Sequence, residues 1–441
     1  MDNQSENQIT PEQETDSTPF TMREAITESK RCLNCKKPMC KTGCPIENEI
    51  PDFINQLSKG NLGEARAILA KKTNLPAVCG RVCPHEKQCE GHCVLGKKGN
   101  PIRIGKLEQF IADFDADMNL TRENIPPKTR GKVAVIGSGP AGLTVAGDLA
   151  LQGFSVVVYE SESEPGGILL YGIPQFRLPK DVVRRETKRI EELGVHFINN
   201  CIVGNDITID QIFERGFDAI FIGTGTALAR ELNIPGKEFA GVVQSNYFLR
   251  MVTMYNDGKI NKQEVSVTEG DNVLVIGAGN VAMDASRTAL RMGAKNVTVV
   301  YRSTPDTITA SKIEYDGAVT DGVKFMWETT PIEYMGRDGK IIGLKADCAG
   351  SEIIIPADKI LLAIGSKPAR RIISTTKGID VNEAGYVITK ERPYGMTTLK
   401  GVFAGGDVVH QPATVVLAMK EAKKVVAGIS AYVDAKKLLE E

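Results

Sequence analysis

Val133–Gly142 reads VAVIGSGPAG and Val273–Ala282 reads VLVIGAGNVA, and these two stretches decide the fold. Each is a β-branched apolar run ending in G-x-G-x-x-G/A and passing into a helix-forming segment. The pattern has steric reasons. Gly137 permits a tight turn, Gly139 lets the backbone approach a pyrophosphate, and Gly142 lets the next helix pack on the strand. Ser138, Pro140 and Ala141 fill the turn and the helix start, where free N–H groups and the positive dipole end favour an anion. Gly277, Gly279 and Ala282 repeat the arrangement, with Asn280 and Val281 opening the second helix. A repeat at about 140 residues implies two dinucleotide-binding domains rather than a solenoid.

Similar β-branched runs surround both turns: SVVVYE (155–160), DAIFIGTG (218–225), VTVVYR (297–302) and KILLAIG (359–365). Alternating with helical stretches, they predict parallel α/β units. Laid on each other, VVVYE and TVVYR put Glu160 and Arg302 at the same position. A carboxylate there accepts ribose hydroxyls and repels a 2′-phosphate, whereas a guanidinium holds one in bidentate fashion. The first site therefore suits FAD, and the second NADPH more than NADH. Near the C-terminus, GVFAGGD (401–407) ends a strand on Asp407, placed to bond a ribityl hydroxyl. A helix expected from about Ala413 puts its start, near Thr414, towards a flavin ring. If both chain ends build one flavin site, the second nucleotide domain is an insertion. The expected boundaries are a disordered tail over 1–20, a helical domain over 21–130, the flavin domain over 131–267 and 365–441, and the inserted domain over 268–364.

At 441 residues, 42% hydrophobic and 25% charged, the chain has an ordinary globular composition with room for about three domains. Its net charge of −1 gives no global basic field for nucleic acid or an anionic membrane. The polar, acidic start lacks the basic and apolar regions of a secretion signal. No window of ~18 apolar residues predicts a membrane span. A cytoplasmic address follows, where thiols stay reduced.

That matters because eight of the ten cysteines lie between Cys32 and Cys93. They form C32-x2-C35-x4-C40-x3-C44-P and C79-x3-C83-P, followed by Cys89 and Cys93. Structural zinc usually uses two C-x2-C pairs, and only one occurs here. The C-x3-C-P ending is shared with [4Fe–4S] segments, although the middle spacing of four departs from a plain ferredoxin. Zinc does no redox work, so beside two nucleotide sites iron–sulfur is the better reading. A disulfide reductase would need a C-x-x-C beside the flavin, and Cys201 and Cys348 are single.

CLNCKKPMCKTGCP, NLPAVCGRVCPHEKQCEGHC, IGKLEQF, VIGSGPAGL, GGILLYGIPQFRLPK, GAGNVAMDASR and GVFAGGDVV, in that order, resemble the glutamate synthase small (beta) subunit family. Its relatives are the large subunit of NADH-dependent ferredoxin:NADP oxidoreductase, sulfide dehydrogenase, and the N-terminal half of dihydropyrimidine dehydrogenase. The resemblance spans about residues 20–432. It implies an α/β chain in which a helical iron–sulfur domain precedes two Rossmann-like nucleotide-binding domains. It further implies two interleaved [4Fe–4S] clusters, one on Cys32, Cys35, Cys40 and Cys93, the other on Cys44, Cys83, Cys89 and Glu108. Cys79 would be the odd thiol. For the flavin it implies Gly137 to Gly142, Glu160, Gly167, Ile168, Arg177 and Asp407; for the nicotinamide nucleotide, Gly279, Asn280, Val281, Ala282 and Arg302. The chain departs from the family in having Ser303 where a second arginine usually follows Arg302, and ITA at Ile308–Ala310 in place of M-P-A.

The expected activity is hydride transfer from NADPH to FAD, followed by single-electron transfer through two clusters to a partner protein. Hydride transfer needs no protein acid or base, so no catalytic residue is nominated. The chain shows no N-terminal nucleophilic cysteine and no ~250-residue barrel, so organic reduction is expected on the partner, an FMN and iron–sulfur large subunit. The rival partner is the small flavin and iron–sulfur subunit of a transhydrogenase or sulfide dehydrogenase. A non-catalytic assembly protein is the alternative of another class.

Overall fold

The computed structural model describes residues 18–120 and 124–440. Of the expected tail, residues 1–17 lie outside the described residues.

The N-terminal region is helical. Helix Met22–Lys30 opens with a capping box, in which Glu24 N–H donates to the Thr21 hydroxyl and the Glu24 carboxylate accepts from Thr21 N–H at 2.8 Å. Helices Ile50–Ser58 and Pro76–Val82 carry proline in their first turn, where its missing N–H costs nothing. Ile50, Phe53, Ile54 and Leu57 recur at helical spacing and pack with Leu69, Leu107 and Ile111 into a separate apolar core. Cys89 belongs to that core, and Cys32, Cys40, Cys44 and Cys93 pack against it.

After residue 131 the strands are β1 (Lys132–Ile136), β2 (Ser155–Tyr159), β3 (His196–Ile198), β4 (Ala219–Ile222), β5 (Leu228–Ala229), β6 (Val242–Gln244), β7 (Asn272–Ile276), β8 (Asn296–Val300) and β9 (Lys324–Met326). They continue with β10 (Thr329–Arg337), β11 (Lys340–Cys348), β12 (Ser351–Pro356), β13 (Lys359–Leu362), β14 (Ser366–Lys367), β15 (Thr389–Glu391), β16 (Tyr394–Thr397) and β17 (Val402–Ala404). One sheet runs β15-β16-β17-β4-β1-β2-β3. Its β17, β4, β1, β2 and β3 are parallel, and β15 and β16 add an antiparallel edge. Val402 pairs with Ile220, so the C-terminal strand completes the sheet that β1 begins. A second sheet, β6-β13-β7-β8-β9, is parallel throughout, and β10-β11-β12 form an antiparallel meander.

The chain forms two compact units. One comprises Tyr171–Phe176 and Ala229–Gly365; the other comprises Pro19–Leu170, Arg177–Leu228 and Ser366–Glu441. The inserted unit thus starts well before the expected residue 268. The reason is packing: β6 pairs with β13, and Phe248, Leu249 and Val252 share one core with Val273, Val275, Val297 and Val299. The cysteine-rich region does not separate from the flavin-type sheet as a third unit. Among the described residues no helix is long and apolar enough to cross a membrane.

Candidate functional site: two glycine turns and two thiol cavities

At the first turn, Gly137 has φ +91°, and a Cβ on Gly142 would collide with the Gly137 carbonyl. Gly139 faces open space. It precedes helix Pro140–Leu151, whose start no side chain caps. Ser138 is buried; its hydroxyl accepts from Gly166 N–H at 2.9 Å and donates to Glu160. The Glu160 carboxylate also accepts from Ser138 N–H at 2.9 Å, Glu162 N–H at 2.8 Å and the Ser161 hydroxyl at 3.0 Å. Its four lone-pair positions are therefore spoken for by its own turn. A ribose hydroxyl could be received only by displacing one donor, of which exposed Ser161 is the most accessible.

Gly167, with φ +51°, presses on the first turn, a Cβ there lying 2.8 Å from Gly139 Cα. Ile168 beside it is 47% exposed, and Arg177 is half-buried ahead of helix Lys180–Glu192. From the C-terminal side, Gly406 lies against Ala141, a Cβ on it falling 2.9 Å from the Ala141 Cβ, and this brings the Asp407 turn to the fingerprint helix. Burial pushes the Asp407 carboxyl up to about 6, with His410 opposing. Thr414, just before helix Val415–Glu440, holds a buried hydroxyl with no partner. The uncapped helix, the open face of Gly139 and this orphan hydroxyl offer an anion site, a backbone cradle and a spare polar group, the features a flavin dinucleotide would need.

The second turn is similar in backbone and different in charge. Gly277 has φ +118° and abuts the Ala363 carbonyl, so no side chain fits there. Helix Asn280–Arg291 starts without a side-chain cap, and the Asn280 amide oxygen accepts from Ser311 N–H at 2.8 Å. Ala282 is buried and Val281 packs against the core. Arg302 follows β8, exposed and without a hydrogen bond or ion pair among the described residues. Lys312 is engaged on the surface by Asp316 at 2.6 Å. An uncapped helix start and an available guanidinium fit a phosphorylated nicotinamide nucleotide.

The cysteines gather into two cavities. The outer cavity is lined by Cys32, Cys35, Cys40 and Cys93. The inner cavity is lined by Cys44, Cys79, Cys83, Cys89 and Glu108. Among the described residues no group of three His, Cys, Asp or Glu is placed to hold a single metal ion; the donor sets at both cavities are thiolate-rich, the chemistry that iron–sulfur clusters take. Burial raises the Cys40 and Cys44 thiols to about 11 and that of Cys89 well above its ordinary value. A hydrogen bond that the Cys83 thiol donates to Cys79, and then burial, do the same to Cys83. Binding of a metal by these thiols would therefore release protons.

Glu108 is the exceptional member of the inner set. It lies in helix Ile104–Met118, is buried, and has one carboxylate oxygen with no partner. Burial pushes its carboxyl up to about 8, opposed by the Arg66 charge. An unpartnered carboxylate oxygen among thiols has the chemistry of an iron ligand. Cys79 lines the same cavity, but its Sγ lies 3.9 Å from the Thr73 hydroxyl and 3.7 Å from Met419 Sδ. Sequence reasoning missed what stands behind Glu108. Asp115, two helical turns on, lies 3.3 Å from Arg66 and 2.9 Å from Arg189, and buried Glu186 is beside both arginines. Nothing in the stretch EARAILAKK marks Arg66 as buried.

Comparison with known proteins yields matches over nearly the whole chain. Residues 10–120 match the family model described as dihydropyrimidine dehydrogenase domain II, 4Fe–4S cluster. Residues 131–422 match pyridine nucleotide-disulphide oxidoreductase. The glutamate synthase [NADPH] small chain of Halomonas elongata is 35% identical over 94% of this chain and 92% of its own length. The NAD-dependent dihydropyrimidine dehydrogenase subunit PreT of Escherichia coli K12 is 34% identical over 94% of this chain and 96% of its own. Mycobacterium tuberculosis FprA in complex with NADPH superposes with a TM-score of 0.58 at 19% identity, covering 72% of this chain and 87% of that one. Lactococcus lactis thioredoxin reductase gives 0.53 at 24%, covering 69% and 99%. These structures share the fold.

Proposed function

We infer that this chain, which belongs to the glutamate synthase small-chain family of pyridine nucleotide-disulphide oxidoreductases, carries electrons from NADPH through FAD and two [4Fe–4S] clusters to a partner subunit. It is an NAD(P)H-dependent flavin and iron–sulfur oxidoreductase. Bound together, these cofactors supply two-electron hydride transfer and its division into single electrons. The chain's own residues position and insulate. The Gly137–Gly142 turn and helix start hold the pyrophosphate, and Asp407 and Thr414 meet the ribityl and ring end. Asn280 and the Gly277–Ala282 turn hold the second nucleotide, and Arg302 receives its 2′-phosphate. Cys32, Cys35, Cys40 and Cys93 hold the outer cluster; Cys44, Cys83, Cys89 and Glu108 hold the inner one. Cys79, already engaged by Thr73 and Met419, packs.

One observation carries the reading. The inner cavity is also lined by Val416, two residues after Thr414, so the iron–sulfur cavity and the expected flavin end meet on one helix. This supports an order of flavin, inner cluster, outer cluster, partner. A large FMN and iron–sulfur subunit is the partner we favour, because three of the relatives are named glutamate synthase small chains. A cytoplasmic site keeps the thiols reduced for assembly. Ser303, in place of a second cation, favours a second reading in which NADH competes.

Purified aerobically protected protein should hold one FAD and about eight iron atoms, as two four-iron clusters require. With the large subunit of a glutamate synthase it should oxidise NADPH only when glutamine and 2-oxoglutarate are both present. Faster flavin reduction by NADH than by NADPH would overturn the nucleotide assignment. Four irons or fewer would overturn the two-cluster assignment.

A further inference from the structure

The outer cavity is lined from two stretches of sequence rich in Lys and Arg, bounded by Glu28, Glu47, Glu90 and Glu108. Lys30–Ile46, which supplies three of its thiols, contains five Lys or Arg and no Asp or Glu. Gly91–Leu107, which supplies the fourth, contains four and none. In a chain of net charge −1 this is a marked local excess. Some of these cations are occupied: Arg31 pairs with Glu28 at 2.7 Å, Lys41 with Glu49 at 2.6 Å, and Arg103 covers the Phe20 ring. Lys30, Lys36, Lys37, Lys97 and Lys98 are exposed and form no ion pair among the described residues. Lys36 and Lys37 lie between the cavity-lining Cys35 and Pro38, and Lys97 and Lys98 close the short helix Val94–Lys98 that begins on the wall. Between these cations, Leu33 and Met39 line the cavity while remaining 61% and 50% exposed.

Two exposed apolar side chains that line the thiol cavity, flanked in sequence by exposed, unpaired lysines, have the composition of a contact surface. We propose that this face docks an acidic protein that exchanges single electrons with the outer cluster. The proposal rests on the electron route given above and adds the exit and the charge of what meets it. Charge complementarity is the argument. Each exposed ammonium acts within about a Debye length, roughly 8–10 Å, and a rim of like charges steers encounter and selects partners more than it adds affinity. A membrane or nucleic acid would gain nothing from a redox cavity beneath the contact.

The test pairs two acceptors that differ in charge alone: basic cytochrome c and its lysine-succinylated, acidic form. Each NADPH yields NADP⁺ and one proton, and its two electrons reduce two ferric haems to ferrous. The iron- and flavin-loaded enzyme is assayed with both acceptors at about 20 mM and about 300 mM salt, with a small dye as an acceptor that needs no docking. The succinylated form should be reduced at least about tenfold faster at low salt, and high salt should erase most of the advantage. The variant K36E/K37E/K97E/K98E should reverse the preference and leave dye reduction within about twofold. Equal rates for the two cytochromes with normal dye reduction would overturn the docking face alone. Normal dye reduction with neither cytochrome reduced would overturn the exit itself. No dye reduction in the loaded wild-type enzyme would overturn the electron route, and the docking face with it.

Discussion

In the outer cavity four thiols share the lining with exposed Leu33 and Met39, and unpaired lysines flank these residues in sequence, whereas in the inner cavity four thiols, Cys79 among them, share their space with Glu108 and the first turn of the terminal helix. The two sets are alike in sulfur chemistry and opposite in surroundings. Near Glu108 of the inner cavity is an ionic layer of buried Arg66, Asp115 and Glu186 with half-buried Arg189; at the outer one Leu33 and Met39 meet solvent. Sulfur alone therefore does not set what each cavity does. Burial, the presence of a carboxylate among the thiols, and the charge next to the cavity separate an inward-facing site from an outward-facing one.

The comparison breaks most visibly if the outer cavity is emptied. Cys35→Ala should bring reduction of protein acceptors to background while nicotinamide-dependent dye reduction stays within about twofold, since the flavin and inner sites are untouched. Stopped dye reduction would mean that the flavin and inner sites do not work independently of the outer cavity. Next in size is Asp115→Ala, which strips a carboxylate from buried Arg66 and from Arg189. It should cost about 3–5 kcal/mol of unfolding free energy, read by denaturant titration. A surface pair such as Lys312–Asp316, 77% and 51% exposed, should cost less than about 0.5 kcal/mol when Lys312 is replaced by alanine.

A third prediction concerns the flavin side of the inner cavity. Burial holds the Asp407 carboxyl at about 6, above its ordinary value. A raised carboxyl favours the protonated folded state, so its contribution is present below about pH 4 and is lost as pH rises through about 6. Asp407→Asn should therefore flatten that slope in the flavin-free chain and stabilise it by about 3 kcal/mol at pH 7. The same change should weaken flavin retention, measured by gel filtration at neutral pH. The smallest effect belongs to the second nucleotide turn. Arg302→Ala should raise KM for NADPH about tenfold and leave KM for NADH within about twofold, as loss of one charge-assisted phosphate contact requires.

Much of this was legible where the requirement is local. A glycine at φ +91° or +118° with a carbonyl against it must be glycine, so Gly137 and Gly277 announce their turns in the residue type itself. The β-branched runs gave β1, β2, β4, β7, β8 and β13 for the same reason. What was hidden is non-local. Cys93 joins Cys40 at one cavity wall across 53 positions, a grouping that spacing does not dictate and that only family resemblance suggested. Glu160 reads as a free ribose acceptor, yet Ser138, Ser161 and Glu162 already occupy it. The early start of the inserted unit was invisible because β6 is three residues long. The β10–β11 hairpin carried a readable signal that went unused: Asp338-Gly339, with φ +52° and +77°, is the Asp-Gly turn of a two-residue hairpin.

The central claim is that two cavities hold two clusters and that a carboxylate completes the inner one. Its most direct test is electron paramagnetic resonance of the reduced Glu108→Ala variant beside the wild type, with iron and flavin counted in the same samples. The account predicts full flavin in both, two cluster signals in the wild type, and in the variant a change confined to one signal. Two signals unchanged in the variant would contradict it.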